Sequence, residues 1–448
     1  MECGRVDIVR LKDGSGFPLR ILMIAPLPFL EPRGAPFQVY HRVRCLSRLG
    51  YEIDLVTYPI GENIEEPSVR LCRAWSIPFI RSVKVGPSLA KFPLDAVLFL
   101  RAFGLLMTHR YDCIHTHLEA GLFGAILSRL FHVPHIYDMH DDLAEQLVNS
   151  KFTRLPILIS LMRQVMRLTL RSARAVIIVY PRLQDTVDRL APGVHTTLLY
   201  NTPVTPEETE QLAGEGLDSA AATLRAGVEL ASDRRPILLY TGTFEPYQGL
   251  DAVVDSMPTI LAKYPHAVWV LVGGRPNQID AVRKRARRLG VEDALRLPGR
   301  RPAAEMSAWM RLSDVLLSPR SEGTNTPLKL FSYLYAGRPI VASNIIANTQ
   351  VLTSSTAELV EPTSEALSEG ILRVLGDERR RQSLAANARA HALRNFSYQT
   401  FQARTADVYR VAMAATPGHL QSGVNTSAML DDEYVSNGAA EIGMDVEG

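Results

Sequence analysis

The chain has 448 residues, which is room for two or three domains that each bury a core of their own. Hydrophobic residues make up 46% of it and charged residues 21%, a balance that excludes a disordered or fibrous chain. Because 49 basic residues stand against 47 acidic ones, no overall field favours nucleic acid, and any polyanion site must be a local arrangement. We expect no nucleic-acid partner.

Cysteine placement and the N-terminal segment indicate the cytoplasm. All four cysteines lie within the first 113 residues without CxxC spacing, which favours reduced thiols over a disulfide framework or a zinc site. The N-terminal stretch lacks the apolar segment of a signal peptide, and no uncharged run reaches the roughly 18 residues of a spanning helix. We therefore expect a cytoplasmic protein that does not cross a membrane.

The first half of the chain alternates strand and helix patterns. The apolar run LRILMIA at residues 19–25 is typical of a parallel strand covered on both faces. A helical pattern at 36–50 and a second strand follow, and the alternation continues through DCIHTH, HIYDMH and ARAVIIVY. This pattern predicts a doubly wound parallel sheet in a Rossmann-like domain at 18–202, preceded by an arm at 1–17.

A second α/β domain is predicted after a polar linker at 203–235. Alternation restarts with PILLYTG and runs to residue 396. A helix at 397–416 is expected to pack back across the seam between the domains, and residues 417–448 are expected to form a disordered tail. Two such domains bring their strand ends to a shared cleft, where ligands of these sheets bind.

The segment SPRSEGTNTPLKLFSYLYAGRPIVAS carries the most informative pattern. Thr326 is suited to cap a helix that has Pro327 as its first residue, so that helix N-terminus would form an anion site in the cleft. Lys329 then falls in the first turn, where a cation is unfavourable unless an anion binds nearby. The alternative for Lys329 is a solvated surface lysine. Arg320 and Glu322 suit phosphate and sugar hydroxyls, or else pair with each other.

The second half, with TGTFEPYQGLD, VLVGG, LPGRRPAAEM and the segment just described, resembles the nucleotide-sugar domain of retaining GT-B glycosyltransferases of family four, the group 1 enzymes. The resemblance covers about residues 18–413, and a subgroup with a TPLK helix start and Ser in place of the second motif glutamate is similar. It implies the GT-B architecture, in which two Rossmann-like doubly wound parallel-sheet domains face a cleft. The first domain lies on the acceptor side and the second binds the nucleotide sugar.

The resemblance also implies an activity. A retaining glycosyltransferase of polysaccharide biosynthesis would move a hexosyl unit from a nucleoside diphosphate sugar to a glycan, lipid-linked or small-molecule acceptor. The resemblance implies no cofactor beyond this co-substrate and no bound metal. Two alternatives stay open: a catalytically lapsed GT-B binding module, and another GT-B enzyme such as a nucleotide-sugar epimerase or a phosphorolytic transferase.

Several family positions differ in this chain. Most members have an Arg and a Lys on the donor diphosphate where Thr243 and Gln248 stand here, and Ser332 replaces the ribose-binding glutamate. Lys329 is expected to supply the missing charge, and Glu322 matches the first motif glutamate. The residues expected to bind the donor are Arg33, Gly34, Gly242, Thr243, Gln248, Arg320, Thr326 and Ser332.

The first domain contributes its own candidates. His117 ends the strand DCIHTH and resembles the family's cleft histidine, so the predicted catalytic residues are His117, Glu322 and Lys329. His115 shares its strand face and stays an alternative. Arg33 and Gly34 follow the first strand, where they would form a backbone N–H pocket near the ligand or a flexible turn.

Two further patterns have open interpretations. The triplet at residues 140–142, His-Asp-Asp, suggests a metal site, but it also suits an acceptor-side or helix-capping feature, and we predict no metal. Arg163, Arg167, Arg171 and Arg174 recur at helical spacing beside apolar residues. Such a stripe either rests on anionic lipid at the inner membrane face or is a solvated helix face.

Overall fold

A computed structural model describes residues 18–30, 34–80, 83, 88, 90–149, 153, 155–200, 216–228 and 236–414. The expected N-terminal arm, Arg33, most of the linker and the expected tail lie outside these residues. The strands are β1 Arg20–Ala25, β2 Glu52–Thr57, β3 Val69–Arg73, β4 Cys113–His117, β5 His135–Met139, β6 Ala175–Ile178, β7 His195–Leu198, β8 Ile237–Gly242, β9 Val268–Gly273, β10 Leu295–Gly299, β11 Val315–Ser318, β12 Ile340–Ser343 and β13 Glu358–Val360.

The helices alternate with these strands. They are α1 Gly34–Arg48, α2 Lys91–Thr108, α3 Gly121–Phe131, α4 Leu143–Asn149, α5 Pro156–Ser172, α6 Leu183–Leu190, α7 Leu217–Gly227, α8 Leu250–Leu261, α9 Pro276–Arg288, α10 Met306–Leu312, α11 Lys329–Tyr335, α12 Ile346–Thr349, α13 Ser364–Gly376, α14 Glu378–Asn395 and α15 Tyr398–Ala414. Within the described part of the chain, no helix is long and apolar enough to cross a membrane.

The first sheet is parallel throughout, in the order β3-β2-β1-β4-β5-β6-β7. Successive residues of β1 enter different cores: Ile21 and Met23 pack with α1, whereas Leu22 and Ile24 pack with α2. This explains the unbroken apolar run, because both faces of the strand are covered. The edge strands β3 and β7 escaped the sequence analysis because they are short and partly exposed.

The second sheet is also parallel, in the order β10-β9-β8-β11-β12-β13. Its strands likewise divide their side chains between two cores, with Leu239 in one and Leu238 in the other. The chain therefore has two doubly wound parallel α/β domains, and the predicted fold class is confirmed.

The last helix, α15, returns to the first sheet. Its side chains Phe401, Val408 and Tyr409 lie in the core that β1 and α1 share. The C-terminal end of the described chain thus completes the N-terminal core. Among the described residues, Cys45, Cys72 and Cys113 are buried free cysteines.

Candidate active site

Both sheets reverse their strand order beside the first strand of the domain, between β1 and β4 and between β8 and β11. Ligands of doubly wound sheets bind beyond the carboxyl ends of the strands at such a switch point. The loops after these four strands carry most of the candidate residues. The loop after β11 touches the loop after β5, where Asn325 Nδ2 donates to Asp141 Oδ2 over 3.5 Å. The candidate loops of the two domains therefore face each other.

Lys329 follows the loop after β11 and lies beside Tyr240 and Arg320. The residue is half-buried, and its Nζ is buried without a hydrogen-bond partner among the described residues. Nζ lies 3.7 Å from the centroid of the fully buried Tyr240 ring. Burial lowers the pKa of the Lys329 amine well below its usual value, and the charge of Arg320 lowers it further. A solvated surface lysine, the alternative raised from sequence, does not match this position.

Arg320 lies beside this lysine and is held by the backbone of its own loop. Its Nε donates to the carbonyl of Glu322 and its Nη1 to that of Asn325, both at 2.8 Å, and the guanidinium stacks over Tyr247. The pairing of Arg320 with the Glu322 carboxylate, open from sequence, is not what the structure shows. Glu322 itself is exposed in the loop. Gly323 adopts φ of +116°, and a Cβ there would lie 2.5 Å from the Arg320 side chain.

The expected helix cap is wrong. Helix α11 begins at Lys329, not at Pro327, has seven residues, and has no side-chain cap. The Leu330 amide donates to the Pro327 carbonyl, a tighter turn than the α-helical one, and the Thr326 hydroxyl accepts from Gln350 Nε2 at 3.3 Å. Thr326 makes this tertiary contact and does not cap the helix, so the candidate anion site depends on Lys329 and Arg320.

The loop after β8 packs directly on the loop after β11. Gly249 has φ of +72°, and a Cβ on it would lie 1.9 Å from the Pro319 carbonyl oxygen. Gly242 is approached in the same way by Gly273, whose Cβ would lie 1.8 Å from the Gly242 oxygen. Glycine is therefore required at positions 249 and 273, because a Cβ at either would clash with neighbouring backbone.

The remaining donor-side candidates occupy different settings. Thr243 is exposed, and its carbonyl accepts a hydrogen bond from the Tyr240 hydroxyl at 2.7 Å. Gln248 is half-buried, and its Oε1 has no partner in the described part of the chain. Ser332 lies half-buried in α11, about one turn beyond Lys329. Gly34 is the first residue of α1, whereas Arg33 lies outside the described residues.

The first domain presents a buried cluster of three histidines and one aspartate. His115 and His117 project from the same face of β4, with ring centroids 4.5 Å apart. The β4–β5 register pairs His117 with Asp138, and His140 follows at the end of β5. All four side chains are at least nine-tenths buried. The cluster lies at the carboxyl ends of the central strands, as expected for His117.

Arg42 of α1 supplies the balancing charge. Its Nη2 and Nε lie 2.9 and 3.2 Å from Asp138 Oδ2, in a pair that is almost completely buried. Burial alone would raise the pKa of Asp138, but the Arg42 guanidinium and the three neighbouring histidines together outweigh it and hold that pKa well below its usual value. Burial lowers the pKa of each of the three histidines. The cluster therefore consists of neutral imidazoles around one ion pair.

The cluster has metal-ligand character but an unsuitable charge. Ligand atoms of His115, His117 and Asp138 lie within 4.8 Å of one another. The Arg42 guanidinium already binds the carboxylate that would join the two imidazoles, and a metal there would face a buried cation. These residues therefore fit a hydrogen-bonded cluster better than a metal site.

The triplet at residues 140–142 divides into separate roles. Asp142 Oδ1 accepts from the amides of Ala144 and Glu145 at 3.0 and 3.1 Å, so it caps α4. Asp141 accepts from the Tyr180 hydroxyl at 3.1 Å, and burial raises its pKa to about 6. The helix-capping interpretation thus holds for Asp142.

Sequence reasoning missed several residues that build the site. Arg42 and Tyr409 come from helices whose patterns indicated only packing, and Asp138 lies inside an apolar strand. Tyr240 looked like an ordinary core residue. A charged residue within a buried strand was the one available signal for Asp138, because a buried charge requires a partner.

Two protein-family models match this chain, one in each domain. Residues 235–377 match the family described as "Glycosyl transferases group 1", and residues 33–202 match "Glycosyl transferase 4-like domain". The chain carries two glycosyltransferase domains. The resemblance to the group 1 enzymes is confirmed, whereas the TPLK subgroup stays a prediction.

Curated relatives and solved structures are similar to this chain over most of its length. The D-inositol 3-phosphate glycosyltransferase of Thermobispora bispora is 26% identical over 417 residues, which cover 86% of this chain and 91% of the relative. The phosphatidyl-myo-inositol mannosyltransferase of Mycobacterium leprae is 22% identical over 406 residues, 89% of this chain and 98% of the relative. The structure of Anabaena HepE in complex with UDP superposes with a TM-score of 0.66 at 18% identity, over 87% of this chain and 99% of HepE. This last likeness shows the GT-B fold.

Proposed function

We propose that this glycosyltransferase moves a hexosyl unit from a nucleoside diphosphate sugar to a glycan, lipid-linked or small-molecule acceptor, with retention of anomeric configuration and without a bound metal. The observation that carries the proposal is Lys329. A buried amine with no hydrogen-bond partner among the described residues, next to a second cation, requires an anion for its charged form to be stable. A diphosphate at the switch point supplies that anion.

The two cations suit the leaving group of such a transfer. Negative charge grows on the departing diphosphate as the glycosidic bond breaks, and Lys329 and Arg320 would meet it in a site with little water. The Tyr240 ring beneath Nζ stabilises the ammonium form through its π face. His117 and Glu322 would hold the sugar while oxocarbenium character develops. With two cations for the diphosphate, the proposal needs no divalent ion.

Calorimetry with full-length protein tests the donor proposal, using UDP, GDP and ADP with the corresponding monophosphates. One charge-assisted contact is worth roughly 1.5 to 3 kcal/mol, so Lys329→Ala should weaken diphosphate binding about tenfold to a hundredfold. Lys284→Ala, which removes an exposed lysine on α9, is the matched control and should bind normally. An unchanged diphosphate affinity in Lys329→Ala would contradict the donor site.

Product analysis tests the remaining chemistry. NMR of the glycoside should show the anomeric configuration of the donor, and transfer should continue in the presence of EDTA. An inverted product, or activity that EDTA abolishes and magnesium or manganese restores, would overturn those parts of the proposal. Binding of a diphosphate sugar without transfer or hydrolysis would favour the lapsed binding module.

The acceptor proposal draws on the named relatives. One relative is a D-inositol 3-phosphate glycosyltransferase and another a phosphatidyl-myo-inositol mannosyltransferase. Their names span a small phosphorylated polyol and a lipid, which supports acceptors of the small-molecule and lipid-linked kinds. Parallel assays with a soluble polyol phosphate and with its lipid-linked form distinguish the two.

We also propose peripheral contact with anionic membrane through α5. Its core face contains Met166 and Leu170, yet its outer face exposes Ile157 by 77% and Leu161 by 59%. Arg163, Arg167 and Arg171 line one side of this outer apolar strip, an arrangement that suits a lipid surface. Arg174 lies beyond the end of α5, so its expected place in the stripe is wrong.

Vesicle sedimentation tests the membrane proposal. Wild-type protein should sediment with vesicles that contain phosphatidylglycerol and much less with pure phosphatidylcholine. Replacing Arg163 and Arg167 by Gln, or Ile157 and Leu161 by Ser, should each reduce binding, because charge and apolar contact act together. Arg283→Gln with Arg288→Gln, on α9 of the other domain, is the charge-matched control. If wild-type protein does not sediment with anionic vesicles, the arginine stripe is a solvated helix face.

A further inference from the structure

The contact between His117 and His140 contains one proton whose position decides what His117 offers to a ligand. His117 Nδ1 lies 3.1 Å from His140 Nε2, and both rings are buried. In a neutral pair one of these nitrogens donates and the other accepts. If Nδ1 carries the proton, His117 Nε2 is an acceptor, and if Nδ1 lacks it, Nε2 is an N–H donor. His117 Nε2 has no partner among the described residues.

Asp138 distinguishes the two arrangements. Its Oδ2 already accepts two hydrogen bonds from Arg42. Its Oδ1 is buried without a hydrogen bond from any described residue, and His140 Nε2 lies 3.4 Å from it. A buried carboxylate oxygen without a donor is costly. A proton on His140 Nε2 lies between this oxygen and His117 Nδ1 and serves both.

A proton on His117 Nδ1 would serve the carboxylate poorly. The carboxylate atom nearest to His117 Nδ1 is Oδ2, at 3.5 Å, which Arg42 already occupies. Oδ1 would then keep its unmet lone pairs, because His140 would carry its proton on Nδ1, the nitrogen away from this contact. The charge distribution around Asp138 therefore favours the proton on His140.

The tautomer of the neighbouring His115 depends on its contact with Tyr409. Burial raises the pKa of the Tyr409 phenol well above its usual value, so Tyr409 keeps its proton, and its hydroxyl lies against His115 Nδ1, to which it can donate a hydrogen bond. The neutral His115 ring then carries its own proton on Nε2, which lies 3.7 Å from Asp138 Oδ2. In this arrangement the N–H groups of His115 and His140 both face Asp138, and the His140 N–H faces Oδ1, the oxygen that has no other donor among the described residues.

We propose that His140 is a positioning residue that keeps Nδ1 of His117 unprotonated and so presents His117 Nε2–H as a hydrogen-bond donor to the substrate. The neutral Nε2–H of His117 can donate a hydrogen bond to an oxygen of the ligand, such as a hydroxyl oxygen of the transferred sugar. The sugar as recipient rests on the proposed function, whereas the tautomer does not.

The experiment is a two-bond ¹H–¹⁵N correlation spectrum of full-length protein labelled with ¹⁵N-histidine, with His117 assigned by its loss in His117→Gln. The Nε2–H tautomer of His117 is expected in wild type, and a shift toward Nδ1–H in His140→Ala. His140→Gln, whose amide N–H replaces that of Nε2, should restore the wild-type tautomer. An Nδ1–H tautomer in wild type, or a His117 signal that His140→Ala leaves unchanged, overturns the proposal.

Kinetics supply a second readout that a merely structural role would not give. His140→Ala should lower kcat about three- to tenfold, the effect of one neutral hydrogen bond, and leave the Kd of the nucleoside diphosphate unchanged. His140→Gln should recover most of the loss. Equal losses in both variants would contradict the positioning role. The expected tautomer in a protein without transferase activity would mean that the proposed function alone had failed.

Discussion

At the scale of single residues, Lys329 shows how a position can conflict with local rules for a functional reason. It begins α11, where the helix dipole disfavours a cation, and its amine is buried beside Arg320. Each of these factors costs stability in the unliganded protein. Such a residue is expected where binding of an anion, not folding, determines the side chain.

Replacing Lys329 by an apolar residue should remove this stability cost. Lys329→Met should raise the free energy of unfolding of the unliganded protein by about 1 to 2 kcal/mol, because it replaces a desolvated amine by an apolar chain. The folded-state pKa of Lys329 is lowered, so the unfolded chain binds more protons and wild-type stability rises with pH up to the ordinary lysine pKa. The advantage of the variant should therefore shrink as the pH rises. Urea unfolding across this range measures it, and a variant less stable than wild type at neutral pH would contradict the argument.

At the scale of elements, the site is made of loops that other loops hold in place. The loop after β8 supports the loop after β11 through Gly249 and through the Ser321 amide, which donates to the Tyr247 carbonyl at 2.9 Å. This contact fixes the start of the segment that carries Arg320. The geometry of the candidate diphosphate site therefore depends on Gly249, a residue that need not touch the ligand.

Gly249→Ala tests this support against a matched control. Gly249 and Gly193 both have positive φ, +72° and +83°, but a Cβ on Gly193 meets nothing within 4 Å. Gly193→Ala should cost about 1 to 2 kcal/mol for the backbone conformation alone. Gly249→Ala should cost at least about 1 kcal/mol more, from the clash with Pro319, and should also weaken nucleoside diphosphate binding. Urea unfolding and calorimetry measure both effects, and equal costs at the two sites would show that the contact does not matter.

At the scale of the whole molecule, the two domains share more than a cleft. Helix α15 follows the second domain in sequence but buries Phe401, Val408 and Tyr409 in the core of the first. It also reaches the histidine cluster through Tyr409 and contacts Arg42 through Phe401. The first domain is therefore incomplete without the last helix.

Truncation tests this dependence. A chain that ends at residue 397 should lose the stability of the first domain, seen as tryptic cleavage within residues 34–200 and increased binding of a hydrophobic dye. The second domain should keep its unfolding transition, because its two cores contain no residue of α15. A chain that ends at residue 416 is the control and should match full-length protein. If the first domain survives in the shorter chain, α15 is dispensable for it.

The sequence alone was sufficient for the architecture. Apolar runs such as β1 and β8 are local patterns that report coverage on both faces, and alternation with helices then permits few topologies. Lys329 was selected as a candidate for a similar reason, since a lysine in the predicted first turn of a helix conflicts with the preference for acidic residues there. The position of His117 at a strand end was predicted correctly, because strand ends can be read from the chain.

Only the tertiary structure decided which charges and hydrogen-bond partners surround the buried side chains of the candidate site. Arg42 and Asp138 are 96 residues apart in sequence, and Tyr409 lies 294 residues from His115, so no local pattern connects them. The start of α11 also differs from the sequence prediction, and the Thr326 hydroxyl accepts from the distant Gln350 instead of capping the helix. Periodicity along a chain reports which face is buried, whereas the partner of a buried polar group depends on which elements the fold brings together.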